Sequence, residues 1–287
     1  MKRILSVFVA TLLSVFSVNA QKLENSTLWK IEGNGLEKPS YLFGTIHMTC
    51  DATIENDVKK ALDETTQIVL ELDMDDPTMQ TKMMSGIYLP KGENIRDYIT
   101  EEEYKTIDSL LTNHLGMPLK LMENMKPFFL STSLYPKLLD CPMQSFELEL
   151  MRIAKEQKED IKGLETMEEQ LEVFDNIPLK DQYADLIRMA EDNLEYDKTN
   201  FAKMLKVYKD ENINEMLAMM DDENNTTVAE HQDVLLDQRN ENWISKISEF
   251  AKEQPTLFGV GAGHLAGEKG VINLLRKAGF TVTAVLE

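Results

Sequence analysis

The stretch SYLFGTIH, residues 40–47, begins as an apolar, β-prone run, breaks at Gly44 and ends in a histidine. A second stretch, TLFGVGAGH, residues 256–264, has the same order of apolar residues, glycines and a terminal histidine. Strands are predicted over 41–47 and 256–264. The glycines allow the backbone to turn sharply or to approach a ligand closely. We interpret the two stretches as two versions of one strand–glycine–histidine unit.

The flanking segments place each of these strands in a strand–helix–strand unit. The spacing of apolar residues predicts three more strands, at 28–33, 67–74 and 280–286, and two helices, at 54–65 and 270–279. A strand–helix–strand run of this length is typical of a βαβ unit. The sequence therefore predicts an α/β (α+β) fold, whose central mixed sheet is built from an N-terminal unit (21–77) and a C-terminal unit (251–287).

The segment between the two units, residues 78–250, has a mostly helical and highly charged pattern. One of its helices is predicted to begin at Thr100, where Glu103 completes a capping box, and to end at Gly116. A single domain over residues 21–287 is therefore expected, with residues 78–250 as a large helical insertion.

Residues 1–20 have the pattern of a secretory signal peptide. Lys2 and Arg3 precede an apolar stretch that ends in small residues up to Ala20. This stretch is shorter than the roughly 20 apolar residues that a spanning helix needs, which argues against a membrane anchor. The mature protein is expected to be periplasmic or secreted, with no stable membrane insertion after cleavage.

The chain is strongly acidic. It has 30 basic and 50 acidic side chains and a formal net charge of −20; removal of Lys2 and Arg3 with the signal leaves 28 basic side chains and a charge of −22. Nucleic acids and anionic membrane surfaces are poor partners for such a charge.

Two histidines lie where predicted strands end. In α/β proteins the carboxyl ends of strands border the crevice that binds ligands, so His47 and His264 are expected to converge on one site. Strand 67–74 adds Glu71 and Asp73, which lie on one face because side chains alternate along a strand. Two imidazoles and a carboxylate are the smallest set that holds a divalent metal in an open site or activates water as a His/Glu pair.

The other histidines and the two cysteines carry less information. His114 and His231 lack the glycine context and are interpreted as solvent-exposed or core histidines. Cys50 and Cys141 form a disulfide if the chain reaches an oxidising compartment. Cys50 lies three residues after His47, so a role as a soft metal ligand is the alternative.

Several motifs resemble the TraB/GumN family, which includes the animal Tiki proteins. They are LWKIEGNGLEKPSYLFGTIHM, the ELD at 71–73, GLETMEEQ at 163–170, the RN at 239–240 and FGVGAGHLAGEKGVINLLRKAGFTV. The paired G-x-x-H motifs, GTIH at 44–47 and GAGH at 261–264, are the signature of that family. The resemblance covers nearly the whole mature chain.

The resemblance implies a fold similar to that of erythromycin esterases and haem-binding ChaN-like lipoproteins, and a metal-dependent protease activity. His47, His264 and Glu71 match the family's metal-binding histidines and acidic residue, and the ion is expected to be Mn, Co or Zn. Glu165 and Arg239 are further matches with expected catalytic roles. Glu165 is expected to be a fourth ligand or a general base, or else a helix cap; Arg239 holds a substrate carboxylate or an oxyanion, or else forms a structural ion pair.

The first functional hypothesis is an exported metal-dependent hydrolase, a peptidase, whose partner is a peptide or another small amide or ester. The alternative is a non-catalytic protein that binds a peptide, haem or another small ligand in the same crevice. A metal-free, esterase-like hydrolase with a histidine base is a third hypothesis.

Overall fold

The computed structural model describes residues 22–286, which form one six-stranded mixed sheet with helices on both faces. The predicted signal peptide, residues 1–20, lies outside the described residues. The strands are β1 (Leu28–Gly33), β2 (Ser40–Thr45), β3 (Gln67–Leu72), β4 (Asp160–Glu165), β5 (Thr256–Gly261) and β6 (Phe280–Ala284).

Helices cover the sheet and fill the segment between its two units. The α-helices are α1 (Asn56–Glu64), α2 (Met79–Gly86), α3 (Glu101–Leu115), α4 (Pro127–Leu134), α5 (Phe146–Gln157), α6 (Met167–Asp175), α7 (Leu179–Glu191), α8 (Glu195–Lys209), α9 (Ile213–Ala218), α10 (Thr226–Glu230), α11 (Gln238–Glu253) and α12 (Val271–Lys277). Short 3-10 helices cover Ile95–Asp97, Leu119–Leu121, Tyr135–Leu138, Met219–Asp221 and Ala262–His264, and a π-helix covers Asp233–Asp237.

The predicted α/β (α+β) class is confirmed, and every predicted strand and helix of the two units is present, with ends that differ by three residues at most. The prediction for α3 also holds, because Thr100 and Glu103 form a capping box and Gly116 ends the helix in the left-handed region at φ 71°. The two predicted strands that carry the motifs are shorter than expected. They end at Thr45 and Gly261, so each histidine lies just beyond its strand.

The strand order is β4-β3-β5-β2-β1-β6. β5 pairs in parallel with both β2 and β3, so the two sequence units interdigitate in one sheet rather than packing side by side. β1 is antiparallel to both of its neighbours, β2 and β6. The parallel strands β2, β3, β4 and β5 all end at one edge of the sheet, and the register pairs Thr45 with Gly261.

The segment 78–250 is mostly helical, but it also contributes β4, which the sequence pattern did not predict. β4 pairs in parallel with β3 at the sheet edge, and its last residue, Glu165, lies opposite Leu72. Its sequence DIKGLE contains only two large apolar residues, so it lacks the continuous apolar run that marked β2 and β5. Gly163 is required here, because a Cβ atom would lie 2.5 Å from the backbone nitrogen of Asp73.

The central strands are buried on both faces, which explains their continuous apolar sequences. Consecutive residues of a strand face opposite sides, so Leu42 packs into the core with Trp243 and Ile247 of α11, whereas Phe43 packs into the core with Leu150 of α5. Full burial of each such side chain stabilises the fold by roughly 1.5–3 kcal/mol. This packing on both faces holds the strands in place at the edge of the sheet where the candidate site lies.

The helical segment has a core of its own, formed mainly by α3, α4 and α7. Its fully buried residues include Ile107, Leu111, Leu130 and Leu186. Within residues 22–286, no helix is both long enough and apolar enough to cross a membrane.

Candidate functional site

The carboxyl edge of the sheet brings together residues that are far apart in the sequence. A Cβ atom built on Gly261 would lie 3.3 Å from Glu71 Oε1, 3.5 Å from His47 Nε2 and 3.6 Å from His264 Cδ2. The two motif histidines and the predicted glutamate therefore surround one point at the end of β5. Because Gly261 has no side chain, the space between these three groups is free.

Glu71, near the end of β3, is an ionised and almost fully buried carboxylate, with 8% of its surface exposed. Its Oε1 accepts the backbone N–H of Gly261 at 2.8 Å and lies 3.8 Å from His264 Nε2. Burial alone raises the pKa of Glu71, but Arg239, the two histidines and the Gly261 amide hold this pKa well below its usual range. The site therefore has a permanent negative charge at its centre.

His264 is 5% exposed and neutral. Burial is the main cause that lowers its pKa to about 3; the Arg239 and His47 charges lower it further, against the opposing effect of Glu71. Its Nδ1–H donates to Asn240 Oδ1 at 2.6 Å, and its Nε2 accepts a 3.1 Å hydrogen bond from Arg239. Asn240 thus fixes the tautomer that presents the Nε2 lone pair to the site.

His47 is the exposed member of the group, because solvent reaches 65% of its side chain. Its Nδ1 lies 2.9 Å from Glu147 Oε1. Desolvation lowers the pKa of His47, but the Glu147 hydrogen bond and the charges of Glu71 and Glu147 outweigh it and raise this pKa to about 9. Burial raises the pKa of Glu147, whereas the bond to His47 lowers it to about 2, so the two groups form an ion pair.

Arg239, in the first turn of α11, connects the acidic residues. Its Nη2 donates to Glu71 Oε2 and to Glu165 Oε1 at 2.6 Å each, and its Nε donates to Glu165 Oε2 at 3.1 Å. Glu165 also accepts from Trp243 Nε1 at 3.2 Å and from Gln170 Nε2 at 3.0 Å. Both predicted residues therefore lie in the site, and Glu165 is not a helix cap because Thr166 caps α6.

Asp73 does not join the residues around Gly261, although it alternates with Glu71. β3 ends at Leu72, and the Asp73 carboxyl contacts Asp75 instead. Burial and the hydrogen bond with Asp75 raise the pKa of Asp73. Asp73 lines a neighbouring cavity of about 400 Å³, which Glu165 also borders.

Cys50 and Cys141 form a disulfide, so the prediction of a disulfide is confirmed and Cys50 is not a metal ligand. The bridge joins the loop that follows β2 to the segment that precedes α5. Beside it, Thr49 and Gln144 exchange two backbone hydrogen bonds, and the Gln144 side chain binds the carbonyl of Cys50. These contacts hold His47 and Glu147 next to each other.

Two residues of the site were not predicted as site residues. Asn240 follows Arg239 in the RN motif, so that motif was a signal for it. Glu147 is one of many acidic residues on charged helices, and its local sequence, FELEL, does not set it apart. The disulfide was the only clue, since pairing Cys50 with Cys141 brings residue 147 close to residue 47.

The donor set fits a divalent cation of the Mn, Co or Zn type. It consists of one carboxylate and two imidazoles, and the Nδ1 of each ring is bound by another side chain, as is usual for metal-ligating histidines. Arg239 now bonds to Glu71 and His264, and the three candidate ligands are not all within 4.8 Å of one another. Metal binding would therefore require Arg239 to release His264 Nε2.

Among residues 22–286, a different group meets the 4.8 Å spacing. Asp181, Glu230 and His231 each bring one ligand atom within this distance, and His231 Nε2 lies 3.0 Å from Asp181 Oδ2. Glu230 is exposed. His114, the remaining histidine, contacts Asn193 Oδ1 at 3.0 Å.

The chain is similar in sequence to several curated metalloproteases. The chain is 23% identical to metalloprotease TIKI2 of Xenopus tropicalis in an alignment of 320 positions, gaps included, which covers 90% of this chain and 59% of the relative. It is 25% identical to metalloprotease TIKI1 of Danio rerio in an alignment of the same length, which covers 90% of this chain and 63% of the relative. Metalloprotease TIKI2 of Danio rerio is 32% identical over 115 residues, covering 39% of this chain and 21% of the relative.

This chain spans no more than 63% of the length of these relatives. No solved structure matches it. The model of the TraB/PrgY/gumN family matches residues 27–284, which include all six strands and every residue around Gly261. The chain therefore belongs to the TraB/PrgY/gumN family.

Proposed function

We propose that this protein is a metal-dependent hydrolase that cleaves amide bonds of peptides, with a divalent ion held by His47, His264 and Glu71. The observation that carries the proposal is the convergence of these three side chains on Gly261. The metalloprotease names of the relatives support the reaction class. A bound divalent ion acidifies water and polarises a carbonyl group, which is the chemistry that amide hydrolysis needs.

The chain's own residues prepare the ligands. Glu147 orients the His47 ring so that Nε2 faces the site, and Asn240 does the same for His264. Each contact fixes the orientation of an imidazole ring in advance, so the ring loses less rotational freedom when a metal ion binds to it. The ionised state of Glu71 and the neutral state of His264 are the states that a cation requires of its ligands. His47 must release its proton before it can bind.

Arg239 and Glu165 have a different role in this proposal. Both carboxylate oxygens of Glu165 accept hydrogen bonds from Arg239, and one also accepts a hydrogen bond from Trp243. Glu165 therefore acts as a positioning residue rather than as a metal ligand. Release of His264 Nε2 on metal binding would free the Arg239 Nη1–H group, which could then donate to a carbonyl oxygen that develops negative charge. A fixed donor at such a point stabilises an oxyanion.

We also propose that the protein works outside the cytoplasm, in the periplasm or after secretion. The sequence pattern of residues 1–20 supports export. The disulfide between Cys50 and Cys141 supports it independently, because disulfides persist in oxidising compartments.

Non-catalytic binding of a peptide, haem or another small ligand is a second candidate function. One observation favours it: Arg239 already bonds to Glu71, Glu165 and His264, so none of these buried groups needs a cation to be satisfied. The two candidates differ in metal affinity and in turnover.

The test of the proposed function is titration of chelator-treated protein with Mn²⁺, Co²⁺ and Zn²⁺ by calorimetry. We expect one strong site in the native protein and a loss of affinity in the double variant His47→Ala/His264→Ala. This loss should exceed the roughly 10- to 100-fold that removal of a supporting residue costs. The matched control is His231→Ala, because Asp181, Glu230 and His231 form the other candidate cluster.

Equal affinity in the native protein and the double variant would refute the metal site. Loss of binding in His231→Ala alone would move it to the other cluster. A peptide library incubated with the metal-loaded protein, with and without chelator, then separates the hydrolase from the binder. Retention of peptides without cleavage under any of the three metals would favour the binder.

A further inference from the structure

A cavity of about 410 Å³ is lined in part by the two segments that carry His47 and Glu147. Thr49 and Cys50, which follow His47 in the loop after β2, line one side of it. Phe146, directly before Glu147, lines another side. The cavity therefore lies beside the candidate site, on the side of its exposed histidine.

The inner wall of this cavity is aromatic. Phe43 and Phe146 meet edge to face with ring centroids 5.6 Å apart, and Tyr208 lies 5.7 Å from Phe146. The Tyr208 hydroxyl donates a 2.8 Å hydrogen bond to the carbonyl of Gly44, which fixes the position of the ring. Such a wall suits the aliphatic stem of a long side chain, and its rings also attract a cation.

The charged residues that line the cavity are predominantly acidic. Asp51, Glu55, Asp57 and Glu211 supply four carboxylates, against the single ammonium group of Lys209. The field of these groups reaches the inner wall. Burial raises the pKa of the Tyr208 phenol well above its usual value, and the negative charges of Glu147, Glu211 and Glu55 raise it further.

Glu211 is held at the cavity by strained backbone. Its φ is +51°, a left-handed conformation that residues other than glycine seldom adopt. The backbone N–H and the hydroxyl of Thr27 both donate to Glu211 Oε1, at 3.2 and 2.7 Å. Strain of this kind persists where the surrounding contacts impose it, and it is concentrated at functional sites. Here it directs a carboxylate to the cavity wall.

We propose that this cavity binds the cationic side chain of an arginine or lysine residue in a peptide, next to the His47–Glu147 pair. The aliphatic stem lies against Phe43, Phe146 and Tyr208, and the cationic group faces the carboxylates. This inference rests on the proposed function and defines its substrate class as peptides with a basic residue close to the scissile bond. Arginine suits both surfaces, because a guanidinium stacks on aromatic rings and pairs with carboxylates.

The test compares two ligands of nearly identical shape by NMR titration of metal-free protein. N-acetyl-arginine methylamide carries a charge, and its citrulline counterpart is neutral. At low salt we expect the arginine ligand to bind at least about fivefold more tightly, and the difference to shrink near 1 M salt, where charges are screened. Equal affinity for the two ligands at low salt would overturn the proposal.

Two charge variants give opposite expectations. Glu211→Gln should reduce the preference for arginine about threefold, and Lys209→Glu should increase it by a similar factor. The matched control is Glu268→Gln, which makes the same charge change at a residue that is 83% exposed and lies outside the cavity. Because Lys209→Glu is expected to strengthen binding, misfolding cannot imitate the result.

These measurements need neither metal nor turnover. Absence of a strong metal site would refute the proposed function and leave the arginine preference measurable. If both cavity variants bind the two ligands as Glu268→Gln does, the cavity assignment is wrong, whatever the outcome of the metal titration.

Discussion

The Arg239 guanidinium donates a 2.6 Å hydrogen bond to Glu71, although 168 residues separate them in the sequence. Both side chains are about nine-tenths buried. The same guanidinium nitrogen donates to Glu165, so one cation balances two buried carboxylates. A divalent cation at Glu71 would compensate the same negative charge that Arg239 compensates here, and this relationship leads to the first prediction.

Removal of Arg239 should destabilise the protein and make its stability depend on metal. Arg239→Ala leaves Glu71 and Glu165 buried without their partner, which costs about 3–5 kcal/mol of unfolding free energy. A divalent cation can then replace the missing positive charge. We expect urea denaturation to show the loss without metal and partial recovery with Mn²⁺ or Zn²⁺.

Arg188→Ala is the control for this prediction. Arg188 forms a partly buried ion pair with Asp197, at 2.7 Å, in the helical segment. Its loss should also destabilise the protein, but metal should not restore the stability. Equal recovery in both variants would show that the metal acts somewhere other than at Glu71.

A single methyl group on Gly261 should impair metal binding with little effect on folding. Gly261 has φ −53°, which alanine tolerates, but the new methyl would lie 3.3 Å from Glu71 Oε1 and 3.5 Å from His47 Nε2. We expect Gly261→Ala to lower metal affinity about tenfold and to change unfolding free energy by about 1 kcal/mol. Calorimetry and urea denaturation measure the two quantities.

Gly263→Ala, in the same motif, is the matched control. Its Cβ would meet the sulfur of Met220 at 3.1 Å, and a flexible methionine side chain can move away. Metal affinity should stay within twofold of the native value. If the two alanine variants bind metal equally, the ligands do not converge on Gly261 in the way that the structure indicates.

The disulfide should contribute to stability and to the position of His47. It closes a loop across 91 residues, so the double variant Cys50→Ser/Cys141→Ser should lose about 4 kcal/mol of unfolding free energy. Metal affinity should also fall, because the His47 loop loses its tie to the segment that carries Glu147. Reduction of the disulfide in the native protein should reproduce the loss of stability, and unchanged stability after complete reduction would contradict this account.

Stability should decline on mild acidification because of His264. Its pKa is about 3 in the folded protein, against 6.5 for an ordinary histidine. Above pH 6.5 neither state binds the proton; between pH 6.5 and 3 only the unfolded state does, so acid favours unfolding in that range. From pH 7 to 5.5, we expect the His264 contribution to the unfolding free energy of chelator-treated protein to fall by about 1 kcal/mol.

His47 opposes this effect over the same range. Its pKa is raised to about 9, so between pH 7 and 5.5 the unfolded state takes up a proton that the folded state already holds, and the contribution of His47 to stability rises by about 0.8 kcal/mol. Over this range the unfolding free energy of His264→Gln should fall by about 1 kcal/mol less than that of the native protein, whereas His114→Gln should follow the native protein. The same slope in all three proteins would assign the decline to other groups.

The local pattern of the sequence was sufficient for the main elements of the sheet. β2 and β5 were predictable because buried strands need continuous apolar residues, and a glycine followed by a histidine marks where each strand ends. The capping box at Thr100 is likewise a matter of neighbouring residues. β4 escaped prediction because only its pairing with β3, rather than its own composition, makes it a strand.

In the candidate site, too, some residues were predictable from the local sequence and others were not. The residue types that bind a metal, His47, His264 and Glu71, are readable from the sequence because strand ends and side-chain alternation are local properties. Which groups support them was decided by tertiary packing. Glu147 reaches His47 across 100 residues, and the site side chains that Arg239 contacts, those of His264, Glu165 and Glu71, lie 25 to 168 residues away from it. Hydrogen bonds over such separations depend on how helices pack on the sheet, and no spacing of residues along the chain specifies that.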